Sequence, residues 1–280
     1  MENNLKWVEA ARKKLNDKNL PLSTLSLIIN SIHQVGISEF YNLEKTKEKE
    51  LNELLELVLK KKEPVAYIVG FEIFYGYKIK VNKNVLIPRV ETEMLVFEVI
   101  KYIRNNFEKG STIRIADICT GSGAILIVIS KELSGEYNLE LIASDISNVA
   151  LDVAKKNFND YNLDVNIYCD NLIKPLIENE IAVDIIVSNP PYIGASNFVE
   201  EMVVTTEPKL ALFGGVEGHE IYYEFFKQLK DYDKPIKIFW EIGFDQQNVL
   251  EEKSLEYKVE NFRCEKDLFG RDRIISFDWR

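Results

Sequence analysis

Asn189-Pro190-Pro191-Tyr192 brings three acceptor surfaces together within four residues. Asn189 offers a side-chain carboxamide oxygen, Pro190 a backbone carbonyl, and Tyr192 a flat aromatic face. Asn189 and Pro190 each precede a proline, which pushes both into an extended, stiff backbone. Neither proline can donate a backbone hydrogen bond, so the pair ends whatever ladder runs into it. The set suits a planar group bearing an NH2, such as a carboxamide or the exocyclic amine of a base. A proline-rich turn with an aromatic anchor would have the same composition, so the chemical reading depends on the rest of the chain.

The preceding run, Val183-Asp184-Ile185-Ile186-Val187-Ser188, is short and β-branched, which predicts a buried parallel strand. Open α/β sheets bind ligands beyond the carboxyl ends of such strands. Three other signals share that placement. Cys119-Thr120-Gly121-Ser122-Gly123 joins a strand to a helix, where small residues allow close approach and the helix start supplies free N–H groups. It is neither G-x-G-x-x-G nor a P-loop. Asp145 ends the next strand, where an acid can accept from both ribose hydroxyls. Its competing role is a helix N-cap, which Ser147 could fill instead. Asp170-Asn171 follows the third strand, placed to meet a base. No Lys or Arg flanks the glycine loop, so a nucleoside without phosphates fits, and S-adenosylmethionine is such a molecule. His219, in Gly218-His219-Glu220, reads as a helix start.

The elements needed to position these residues are legible in the periodicity. Strands are expected at 113–118, 139–144, 165–169, 183–188 and 236–242, with helices near 123–133, 147–159, 218–230 and 244–252. This alternation predicts a doubly wound α/β fold with a mostly parallel sheet. Two strand-like runs without a helix between them, 255–263 and 273–279, predict an antiparallel strand at one edge. Residues 4–63 read as helical, with Pro21 at a helix start, Gly36 closing that helix, and Leu51, Leu54, Leu55 and Val58 at helical spacing. The runs 71–75 and 77–81 flank Gly76 as a hairpin, and a helix follows from about Glu91.

Composition narrows the classes. A formal net charge of -10 disfavours broad gripping of a phosphate backbone. Residues 1–63 hold 11 Lys/Arg and 10 Asp/Glu, so the acidity lies in the remainder, with the motifs. Three dispersed cysteines and two histidines make a zinc site improbable, so no metal is expected. The cysteine pattern and the lack of a signal peptide point to the cytoplasm. No apolar run approaches the roughly 18 residues of a membrane span.

The chain resembles the bacterial peptide chain release factor glutamine methyltransferases over nearly its whole length. The matching stretches include 63–70, Leu86-Ile87-Pro88-Arg89 with Glu91-Thr92-Glu93, 117–124, 188–193, Glu207-Pro208-Lys209-Leu210-Ala211-Leu212, Glu241-Ile242-Gly243 with Asp245-Gln246, and Gly270-Arg271-Asp272-Arg273. The resemblance implies a helical substrate-recognition domain at 1–70, a hairpin linker at 71–90, and a seven-stranded methyltransferase domain at 91–280. It implies that S-adenosylmethionine is held by Cys119, Thr120, Gly121, Ser122, Gly123, Asp145, Asn171 and Asn189. The acceptor glutamine would lie on Asn189, Pro190, Pro191 and Tyr192, with Asn189, Pro190 and Tyr192 catalytic. The implied partner is a release factor, with no nucleic acid and no membrane. Cys119 stands where many relatives have glycine, Val90 replaces the usual proline, and Asn171 stands where an aromatic residue is frequent. Arg89, Glu91 and Thr92 are expected either to line the cofactor pocket or to dock the domains. The tetrad alone also fits a ribosomal-protein glutamine methyltransferase, or an adenine or guanine amine methyltransferase of nucleic acid.

Overall fold

The computed structural model describes residues 2–197 and 201–280. Four helices come first: α1 (Glu2–Asn16), α2 (Ser23–His33), α3 (Ile37–Phe40) and α4 (Glu48–Lys60). Their apolar stripes close on a cluster that includes Leu15, Leu25, Ile28, Phe40, Leu51 and Leu55, all buried. Each such side chain contributes about 1.5–3 kcal/mol by leaving water. The buried Asn4 ties this cluster together by donating to the carbonyls of Phe40 and Leu43, at 3.0 and 2.9 Å. Gly36 does not close α2. Gln34 takes the left-handed cap conformation, with φ 57°, and Gly36 caps the start of α3 instead. Pro21 precedes α2, its carbonyl accepting the Thr24 N–H.

Helix α5 (Val65–Val69) ends at Gly70 and leads into β1 (Phe71–Phe74) and β2 (Tyr77–Lys80), paired antiparallel. Tyr75 and Gly76 both have positive φ, 51° and 80°, the combination that a two-residue turn needs to match strand twist. Phe71, Phe74 and Ile79 are buried, and they join the core beneath the large sheet. The buried Asn157 fastens the hairpin: it accepts from Lys80 N at 2.8 Å and donates to Lys80 O at 2.9 Å.

The large sheet begins after α6 (Val90–Asn106). Its members are β3 (Thr112–Ile118), α7 (Ala124–Glu132), β4 (Asn138–Asp145), α8 (Asn148–Asp160), β5 (Val165–Cys169), α9 (Lys174–Glu178) and β6 (Ile185–Ser188). There follow β7 (Ile193–Gly194), α10 (Glu201–Thr206), α11 (Lys209–Leu212), β8 (Phe213–Gly215), α12 (Glu220–Leu229), β9 (Ile236–Glu241), α13 (Gln247–Glu256), β10 (Glu260–Lys266) and β11 (Asp272–Trp279). Strand order is β10-β11-β9-β6-β3-β4-β5. Five strands run parallel, and at one end β11 lies antiparallel between β9 and β10. The expected strand at 255–263 starts later, because Leu255 and Glu256 still belong to α13. The short β7/β8 pair and the helices α9, α10 and α11 have too few residues to show a period.

Alternate residues of each strand face opposite layers. Ile113, Ile115, Leu141, Ala143, Ile185 and Val187 face α6, α7 and α8. Ala116, Ile118, Ile142, Ile186, Ile238 and Trp240 face α12 and α13. From β3 the chain winds outward through β4 and β5, then returns to place β6 on the other side of β3. Ile118 pairs with Ser188 there, so the loops leaving these two strands diverge and open a crevice.

Candidate functional site

The crevice is a cavity of about 280 Å³, walled by residues from several separate segments of the chain. Cys119, Thr120, Gly121 and Ser122 line it from the end of β3, Asp145 from β4, Asp170 and Asn171 from β5, and Asn189 and Pro191 from β6. The four groups of the sequence reading therefore meet at one place. Gly123 is absent from the wall but shapes it. A Cβ at Gly123 would lie 2.6 Å from the Phe158 ring, so only glycine lets α7 start this close to α8. Asn157 donates to Ser122 O at 2.8 Å, which connects this loop to the β1–β2 hairpin.

The start of the loop is strained. Cys119 has φ 61°, in the left-handed region that glycine enters without penalty. A glycine here would adopt the same backbone without that penalty. Desolvation raises the Cys119 thiol pKa, and the nearby Asp145 and Asp117 add to the rise, so the thiol stays protonated and unreactive. Just before it, Asp117 is fully buried and accepts from the Thr120 hydroxyl at 2.6 Å. Its other oxygen has no partner. Burial pushes this carboxyl up to about 8; the Thr120 hydrogen bond opposes the shift and the Asp145 charge adds to it.

Asp145 is not the cap of α8. Ser147 fills that role, accepting from Ala150 N at 3.3 Å. Asp145 instead accepts the Gly121 N–H at 2.9 Å on Oδ2 and the Ser147 N–H at 2.9 Å on Oδ1. A carboxylate oxygen accepts more than one hydrogen bond, so both oxygens keep capacity for a diol. Beyond it, Ile146, Val149 and Leu172 form an apolar slot beside Asn171.

Asn189 donates from Nδ2 to the Thr92 hydroxyl at 3.0 Å, which leaves its oxygen as the available acceptor. Pro190 and Tyr192 stand outside the cavity wall. The Tyr192 hydroxyl donates to Glu241 Oε1 at 3.1 Å, and its carbonyl accepts from the buried Gln246 at 2.8 Å. Burial raises the Tyr192 phenol pKa, and the Glu241 charge raises it further. The backbone of the tetrad is packed too closely to admit side chains behind it: a Cβ at Gly214 would lie 2.2 Å from Pro191 O.

Several wall residues escaped the sequence reading. Phe74, Val85, Leu86 and Pro88 come from the hairpin and the segment after it, and Pro208, Leu210 and Ala211 from the region of α11. Glu207 holds these two segments together, since its buried carboxylate pairs with Arg89 and accepts the Ile87 N–H at 3.2 Å. Of the two roles open to Arg89, the ion pair gives it the structural one, whereas Thr92 is part of the wall. Lys83 is the one cation among the described wall residues, and it comes from the segment that follows β2. His219 immediately precedes α12 and packs on Tyr223 at 4.8 Å between ring centroids. Among the described residues no three His, Cys, Asp or Glu side chains gather in a set that could hold a metal ion. No described helix is long and apolar enough to cross a membrane.

Comparison with known proteins follows this geometry. Residues 100–215 match the family model described as methyltransferase small domain. A release factor glutamine methyltransferase of Lactococcus lactis is 35% identical over 281 aligned residues, covering 96% of this chain and 98% of the relative. One from Bacillus subtilis is 37% identical over 217 residues, covering 76% of this chain and 74% of the relative. Among solved structures, the hMettl16 catalytic domain in complex with the MAT2A 3'UTR hairpin 1 superimposes with a TM-score of 0.53 at 19% identity, over 73% of this chain and 75% of that chain. That likeness speaks to the fold alone.

Proposed function

We propose that this chain, which belongs to the release factor glutamine methyltransferase family, methylates the side-chain amide nitrogen of the glutamine in the Gly-Gly-Gln motif of peptide chain release factors. The methyl donor is S-adenosylmethionine. The observation that carries the reading is the Asn189 carboxamide. Its N–H is committed to Thr92 and its oxygen is left to accept, on the same cavity as the Asp145 carboxylate.

The wall fits a nucleoside cofactor that carries no phosphate. Asp145 supplies acceptor capacity for a ribose diol, and the slot of Ile146, Val149 and Leu172 suits a base. Asn171 stands beside that slot, with its side chain free to contact a base edge. Cys119 to Gly123 provide a turn with little side-chain bulk. When bound, S-adenosylmethionine supplies an electrophilic methyl group on a sulfonium sulfur.

The acceptor is the harder partner. A carboxamide nitrogen is a poor nucleophile, because its lone pair is delocalised into the carbonyl. No side chain at the site is basic enough to deprotonate it outright. Asn189 Oδ1 and the Pro190 carbonyl would each accept one N–H of the glutamine, which fixes the nitrogen and draws electron density onto it. Tyr192 would present its ring to the amide plane, in an orientation set by Glu241 and Gln246. Most of the acceleration then comes from positioning. Carbonyl oxygens and an aromatic face also favour the positive charge that passes through the site. The proton leaves to water after transfer.

The near-neutral helices of residues 1–70 are proposed to recognise the protein substrate, with 71–90 as the linker and 91–280 as the catalytic domain. The reading places the protein in the cytoplasm, with a protein partner and no nucleic acid. The test is incubation with labelled S-adenosylmethionine and four acceptors: a release factor, its Gln→Ala variant, the ribosomal-protein substrate of glutamine methyltransferases, and duplex DNA. Label should enter the first alone. Label in the ribosomal protein or the DNA would replace this substrate with another.

A further inference from the structure

We propose that the tip of the β10–β11 hairpin, with Phe244 beside it, is a docking surface for the methyl-accepting protein. Its occupant is an apolar surface of that protein, bordered by a carboxylate and lying outside the loop that carries the glutamine. The inference rests on the substrate reading above and adds a contact from the catalytic domain to that of residues 1–70.

The tip stands at the same end of the sheet as the tetrad. β11 is antiparallel to β9, with Ile275 opposite Trp240, and Trp240 lies opposite Ser188 of β6. Residues 267–271, which precede β11, therefore project beyond the strand ends on the side where Asn189 to Tyr192 leave β6. Only β9 separates β11 from β6, so the lateral distance is two strand spacings, about 10 Å.

A series of hydrogen bonds joins the two features. The Tyr192 carbonyl accepts from Gln246 Nε2 at 2.8 Å, and Gln246 Oε1 accepts the Gly243 N–H at 2.9 Å. One residue earlier, the Ile242 N–H donates to Arg273 O at 2.9 Å, and Arg273 Nη1 donates to Ile242 O at 3.3 Å. Arg273 Nη2 donates in turn to Asp267 Oδ2 at 3.2 Å. The other oxygen of Asp267 accepts the N–H groups of Phe269 and Arg271, at 2.9 and 3.1 Å.

The Gly270 N–H donates to Asp267 O at 2.9 Å, which closes a β-turn with Asp first and Gly fourth, residues that such turns favour. The central positions of that turn accept most residue types, so its backbone does not call for Leu268 and Phe269. Yet these side chains are 103% and 83% exposed, and Phe244 is 61% exposed. The Arg271 guanidinium lies 5.8 Å from the Phe244 ring centroid, which brings the two segments together. Single exposed apolar side chains are ordinary, whereas a cluster of large ones marks an interaction site. A hydrogen-bonded frame lowers the ordering cost of binding. Arg271 makes no ion pair among the described residues, in a chain of formal net charge -10. That uncommitted cation is the reason for a carboxylate on the partner.

The experiment compares wild type, the double variant Leu268→Ser/Phe269→Ser, Arg271→Glu, and Leu255→Ser as an exposed control on α13. It measures methylation of a release factor at saturating S-adenosylmethionine, calorimetric binding of that factor's Gln→Ala variant, thermal melting, and molecular mass by light scattering. The double variant and Arg271→Glu should each raise the KM for the release factor by about 10-fold or more, the scale of an interface hot spot. The complex with the Gln→Ala factor should weaken alike, kcat should hold, and Leu255→Ser should match wild type throughout. A wild-type enzyme inactive on release factors would overturn the substrate reading and this inference with it. With an active wild type, a double variant that keeps the wild-type KM and affinity would overturn the docking surface alone. A loss confined to kcat would also overturn it, by making the tip a support for the tetrad. So would a wild-type dimer that the double variant dissolves, which gives the surface to a second copy. Should the double variant fail to fold, Arg271→Glu decides, since it leaves the backbone bonds of the tip in place.

Discussion

The Gly121 N–H donates to Asp145 Oδ2 at 2.9 Å, joining the turn after β3 to the carboxyl end of β4. One carboxylate thus shapes the loop and faces the cavity. Both tasks follow from adjacent parallel strands ending level with each other, as Ile118 and Ser144 do.

Asp145→Ala should therefore weaken S-adenosylmethionine in two ways, by removing acceptors for the ribose and by releasing the loop. Losing hydrogen bonds to a charged acceptor costs about 1.5–3 kcal/mol, which corresponds to about a 10- to 100-fold loss of affinity. Calorimetry on both proteins measures it. Unchanged binding would confine Asp145 to fastening Gly121.

Asn189→Ala removes one of the two acceptors proposed for the glutamine amide. A preorganised polar contact of this kind is worth about 10²–10³ in rate. Turnover should drop while circular dichroism stays that of wild type, and cofactor affinity is measured separately. Near-normal turnover would take the tetrad out of the mechanism.

At Cys119 the backbone sets the order of stability. With φ 61°, a side chain costs about 1–2 kcal/mol, and a β-branched one costs more. Cys119→Gly should melt above wild type and Cys119→Val below it. The reverse order would show that packing of the thiol against the apolar cluster on the α12 and α13 side of the sheet outweighs the strain.

Asp117 makes stability depend on pH. Its folded pKa of about 8 lies above the unfolded value near 3.9, so the folded state keeps a proton that the unfolded state loses. The stabilisation is whole below the unfolded pKa, declines as pH rises, and is gone above the folded pKa. Denaturant titrations of the free protein between pH 5 and pH 8, a window that about spans these values, should show stability falling. Asp117→Asn, which keeps an acceptor for Thr120, should flatten that slope. An unchanged slope would assign it to other buried carboxyls.

Much of this molecule is written in local pattern. Short, near-continuous β-branched runs encode strands buried on both faces, and the small residues of Cys119 to Gly123 encode a turn wherever that stretch leaves a strand. Those features depend on neighbours in sequence, so residues such as Ile115, Ile142 and Ile186 announce their burial without reference to the fold. The tetrad also carries its own stiffness, because a proline acts on the residue before it.

Other features arise only when distant segments meet. Thr92 bonds Asn189 from 97 residues away, and Tyr192 reaches Glu241 across 49. The β7/β8 pair is held by glycine backbones pressed against the tetrad, as the Gly214 contact with Pro191 shows, and no periodicity marks such packing. Arg89 read equally well as a pocket residue or a docking residue until the buried Glu207 carboxylate claimed it. Sequence determined which residues were chemically able to act. The reversal of winding between β3 and β6 decided which ones share a cavity, because only the strand order brings the ends of those two strands side by side.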